Sequence, residues 1–133
     1  MAYTRNKLQE LAMMCTYQYL FYLQNENRPT PAEILEGVTE ESVSDNDQFI
    51  KKLFSNVIKH TGELVELANA HLKNWKFERL GYVERAILLN SLAQACYMDQ
   101  PKEVVIDVAV ELAKKFCDAK AYKLINGVLD KAI

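Results

Sequence analysis

Reactive side chains are few and scattered in this chain of 133 residues. The two histidines, His60 and His71, fall on separate helical patterns and read as capping or surface residues, not as a pair of metal ligands. Cys15, Cys96 and Cys117 are odd in number, widely spaced and without a CxxC. That spacing suggests neither a disulfide framework nor a zinc site, and it points to a reducing, cytoplasmic setting. The glycines at 37, 62, 81 and 127 never cluster, so no phosphate-cradling loop can be drawn. Glu40 and Glu41 lie in a polar stretch where solvation explains them, and no serine has a histidine near it in sequence. The expectation is a protein without catalytic residues, metal or cofactor.

Binding is the chemistry that remains. The net charge of −2 argues against bulk attraction for nucleic acid, but its distribution is uneven. Residues 25–66 carry nine acids against four bases, whereas Arg5 and Lys7 open the chain against Glu10 alone. Near the end, Lys114, Lys115, Lys120, Lys123 and Lys131 face only Asp118 and Asp130. If the first and last helices pack on one side, the two basic stretches make one surface, and the free N–H groups of the first helical turn add to it. Tyr17, Tyr19 and Tyr22 are either core or a groove edge suited to a protein partner. With the methionines of the same helix they make a homodimer possible.

These groups must be placed by helices, because apolar residues recur at steps of three and four and alternation with period two is nearly absent. Half the residues are apolar, enough for one domain to bury a core, and no apolar run approaches the ~18 residues of a membrane span. Thr4 caps a first helix with Leu8, Leu11, Ala12, Cys15, Tyr19 and Tyr22 on one face. Its second half, apolar nearly all round, is expected to be enclosed by other helices. Thr30, Pro31 and Glu33 spell a capping box for a short second helix closed by Gly37. Ser44 or Asp45 caps a third helix, and Thr61-Gly62 breaks the chain before a fourth. Further helices run to the residue before Pro101, from Pro101 to about Phe116, and from Asp118 to the end. The sum is an all-α domain of about seven helices over 1–133, in two small packed bundles of roughly 1–75 and 76–133.

The C-terminal half has an ordered set of short elements: Trp75 with Arg79-Leu80, Val83-Glu84-Arg85, Ile87-Leu88, Val104 to Lys114, and Asn126-Gly127-Val128-Leu129-Asp130. In this order and spacing the chain resembles the NusB family of bacterial transcription antitermination factors, with Glu10, Ala12 and Tyr17 extending the likeness to the first helix. The resemblance implies an all-α fold and a non-enzymatic factor that pairs with the ribosomal protein NusE. Together the two bind the boxA element of nascent ribosomal RNA within the RNA polymerase antitermination complex. The same fold also opens a ribosomal RNA cytosine methyltransferase, but a chain ending at Ile133 leaves no room for a cofactor-binding domain, so a free-standing factor is expected.

Carried over residue by residue, the resemblance puts Arg5, Lys7, Lys120 and Lys123 on the RNA and Tyr17 and Gln94 on the protein partner. The family's run of arginines is here Arg5, Asn6, Lys7, Leu8, Gln9, and the aromatic that lies on the RNA face before the VNG element is here Leu124. These departures motivate an alternative, a helical interaction module of the same fold with RNA binding weakened or lost. Other residues of the shared elements are expected to be structural. Gly127 should mark a close helix approach, Asn126 should satisfy a buried backbone group, and Trp75 with Leu80 should plug the join between bundles. Arg79 or Arg85 should pair with an acid such as Glu84 or Asp107.

Overall fold

A computed structural model describes residues 3–40 and 48–133. Six α-helices account for most of them: α1 (Arg5–Tyr22), α2 (Pro31–Thr39), α3 (Gln48–Ala70), α4 (Tyr82–Tyr97), α5 (Lys102–Phe116) and α6 (Ala119–Ala132). A 3-10 turn, Phe77–Arg79, precedes α4, and among the described residues there is no strand. The caps follow the sequence. The Thr4 hydroxyl accepts from the Lys7 N–H at 3.1 Å, and Thr30 and Glu33 exchange reciprocal bonds across the start of α2. The Asp118 carboxylate accepts from the Ala121 N–H at 2.8 Å.

Differences from the expected elements have local causes. The third and fourth expected helices are one helix bent at His60, where φ −116° and ψ 20° leave the helical region. The break at Thr61-Gly62 is thus a kink, stapled from outside: the His60 ring stacks on Tyr97 at 3.8 Å, and the Tyr97 hydroxyl donates to Glu63 at 2.6 Å. Helix α2 runs past Gly37 to Thr39, and Glu40 takes the left-handed position at φ 59°. The capping residues expected at Ser44 and Asp45 lie outside the described residues.

Helix α4 is the axis of the molecule. Every residue from Ala86 to Gln94 is buried, so the helix has no polar face, and its neighbours are α1, α3, α5 and α6. The main core gathers Leu53, Val57, Leu64, Leu89, Leu92, Leu112 and Ile125 among others, and a smaller cluster of Leu8, Leu11, Cys15, Ile34, Ile50 and Phe54 joins α1, α2 and the start of α3. The polar residues that α4 buries are answered mainly by α1. Thr16 donates to Asn90 at 2.6 Å, and the Gln9 and Gln94 amides bond reciprocally at 2.8 and 3.2 Å. Such pairs fix the sliding register of two apolar helices, because a shift of one turn would strand four amide or hydroxyl groups in the core.

Candidate nucleic-acid and protein interfaces

Arg5, Lys7, Lys120 and Lys123 stand near helix starts, on exposed turns. Arg5 and Lys7 occupy the first turn of α1, where the Arg5 guanidinium lies 3.9 Å from the centre of the Phe49 ring and Lys7 projects into solvent. Lys120 and Lys123 stand in the first two turns of α6, exposed and without an ion pair among the described residues. The last turn of α5 links the two places: Lys115 pairs with Glu10 of α1 at 2.6 Å, and the Lys114 ammonium lies 5.4 Å from the Tyr122 ring of α6. The end of α5 thus touches both helices that carry the patches, and the patches do not pair with each other.

The outer side of α6 is open. Gly127, expected under a neighbouring helix, is exposed, and a Cβ built on it meets nothing within 4 Å. Asn126, expected to answer a buried backbone group, is exposed as well. Lys120, Leu124, Gly127 and Lys131 therefore share one helical face with a flat stretch in its middle. Trp75 also departs from expectation. Leu80 is buried, but Trp75 is 54% exposed, beside Lys120 and Leu124 and not inside a join. The polar neighbours Lys73, Asn74 and Lys76 were the available signal, since only Leu72, Phe77 and Leu80 of that stretch go inside.

A second surface runs along the end of α1. Tyr17 is half-buried, stacks on Phe21 at 6.2 Å and meets the Tyr82 ring edge-on at 6.2 Å. Phe21 and Met14 are 47% and 42% exposed, so the second half of α1 is not enclosed as its sequence suggested; it presents an aromatic edge to solvent. Arg85 covers Tyr82 at 4.4 Å and donates from Nε to the Leu80 carbonyl at 2.7 Å and from Nη2 to the Glu78 carbonyl. It bonds carbonyls where an acid partner was expected, and Arg79 has no ion pair among the described residues. Gln94 is absent from this surface: it is 4% exposed, with its amide spent on Gln9 and on the Asn90 carbonyl. In this arrangement it presents no free polar group to a partner docking on α1.

Burial pushes the Cys15 thiol up to about 12 and, with the charges of Glu84 and Asp118 adding, the Cys117 thiol up to about 11, so neither is a nucleophile at neutral pH. Among the described residues no group of His, Cys, Asp and Glu could hold a metal ion, and no helix is long and apolar enough to cross a membrane. The profile of the NusB family matches residues 6–133. This chain belongs to the NusB family. It is 38% identical over 128 residues to the transcription antitermination protein NusB of Geobacillus kaustophilus (strain HTA426), covering 96% of this chain and 93% of that one. To the protein of that name from Macrococcus caseolyticus (strain JCSC5402) it is 39% identical over 116 residues, covering 87% and 88%. Its fold superposes with a TM-score of 0.79 on a chain from a crystal structure of antitermination factors NusB and NusE in complex with dsRNA, at 30% identity over 96% of this chain and 94% of the other. The expected family, all-helical class and non-enzymatic character agree with these relatives.

Proposed function

We propose that this NusB-family chain acts in transcription antitermination, holding a boxA-type element of nascent ribosomal RNA jointly with NusE in the RNA polymerase antitermination complex. The observation that carries the reading is the likeness, over nearly the whole chain, to a NusB crystallised with NusE and dsRNA. The electrostatics support a place for the RNA. Lys7, Lys120 and Lys123 are exposed cations without carboxylate partners among the described residues, and the open face at Gly127 lets a phosphate backbone approach α6 closely. Arg5 completes the set from the first turn of α1. Tyr17, flanked by Phe21, Met14 and Tyr82, supplies a rigid aromatic edge for NusE, since exposed aromatics bury large area at small entropic cost.

A second reading keeps the protein surface and discards the RNA. It is favoured by the engagement of Arg5 on Phe49 and of Lys115 on Glu10, which leaves fewer free charges at the start of α1 and the end of α5. Anisotropy titration of a boxA RNA against a scrambled RNA, with and without NusE and at two salt concentrations, separates the two. Salt-sensitive preference for boxA, strengthened by NusE, is the expected result; equal, salt-insensitive weakness for both RNAs leaves only the interaction module.

A further inference from the structure

Trp75 is the single tryptophan of the chain, and more than half of it faces water although its loop is firmly anchored. Leu72, Phe77 and Leu80 around it are buried, and the Phe77 N–H donates to the Asn69 side chain at 2.9 Å. The indole is thus held out by a fixed loop. It borders a groove of about 400 Å³ walled on the far side by Lys120, Ala121 and Leu124 of α6, with the exposed Arg79 beside it. Neither cation has an ion pair among the described residues. Glu84 and Asp118 also line the groove; partial burial, and then the charge of Asp118, hold the Glu84 carboxyl above the usual range, so it gains from a hydrogen-bond donor brought close.

We infer that this groove takes one unpaired base of the bound RNA, stacked on Trp75, with its flanking phosphates on Arg79 and Lys120. The inference rests on the RNA-binding reading above and adds a site to it. A slot with an exposed π-face and two cations without ion pairs, lined also by the carboxylates of Glu84 and Asp118, fits a nucleotide: the ring takes the base, the cations take the backbone away from the two acids, and Leu124 adds an apolar wall. The carboxylate of Glu84 keeps phosphate out of the slot and accepts from an exocyclic amine, which favours adenine, cytosine or guanine over uracil.

Because Trp75 is alone, its fluorescence reports the site directly. The full chain, free and with NusE, is titrated with single-stranded boxA RNA, following RNA anisotropy and indole emission together, with Trp75→Phe subtracting any emission of NusE. Saturation is expected to quench Trp75, and Trp75→Leu is expected to weaken RNA binding by about 5- to 100-fold. NusE affinity and thermal midpoint should stay unchanged, as the residue is exposed. Tight RNA binding with Trp75 emission unmoved and Trp75→Leu within about twofold of the parent overturns the stacking site and leaves the RNA reading intact. Failure of the parent chain to bind RNA at all overturns that reading first. Quenching by NusE without RNA makes the groove a protein site and overturns the inference too.

Discussion

Gln94 shows how one residue changes meaning with its surroundings. Polar and near the end of a helix, it could serve a partner; between α1 and α4 it is half of a reciprocal amide pair sealed from water. Replacing it by Leu strands the Gln9 amide, and Gln94→Leu is expected to lose about 1–3 kcal/mol of stability. The denaturant midpoint should fall at an unchanged m-value, the Gln9→Leu, Gln94→Leu double variant should recover part of the loss, and NusE affinity of the folded variant should not move. Tyr17 is the contrasting case, since its position on the aromatic edge of α1 agrees with a contact role. Tyr17→Ala and Phe21→Ala are each expected to weaken NusE binding about ten-fold or more in calorimetric titration, with RNA affinity of the free chain unchanged.

At the scale of the element, the caps were legible because they depend on neighbours three residues away. In the α2 box the Thr30 backbone N–H, and then its side chain, hold the Glu33 carboxyl below the usual carboxylate range. A depressed folded value means that this contribution is present above the unfolded glutamate pKa and is lost as pH falls through the folded one. The stability gap between the parent and Glu33→Gln should therefore close on acidification below the ordinary glutamate range, as measured by melting at a series of pH values. Helix α6 offers a test of opposite sign. With nothing near a Cβ at residue 127, Gly127→Ala is expected to gain about 1 kcal/mol in thermal unfolding. If RNA lies on this face, the same variant should bind boxA RNA less tightly, separating stability from function.

At the scale of the molecule, the proposed RNA surface draws on the first turn of α1 and the first turns of α6, with the end of α5 between them. Charge at both places should act on one polyanion. Arg5→Ala with Lys7→Ala, and Lys120→Ala with Lys123→Ala, are each expected to lower RNA affinity and to flatten its log–log salt dependence by about 0.7 for every phosphate that is no longer neutralised. A flattening confined to one pair would place the RNA on that pole alone.

The helical class, the caps of α1 and α2 and the likeness to a family were written in the sequence, because helix formation is decided by residues within a turn or two and motifs keep their order along the chain. Which side of each helix is covered was decided only by the tertiary structure. Periodicity cannot say that α4 is enclosed on every side, so that Gln94 goes in, or that nothing packs on α6 at Gly127 and that Trp75 stays half in water. Burial is set by elements that arrive from far along the chain, and the bend at His60, held by Tyr97 from another helix, belongs to that same long-range class.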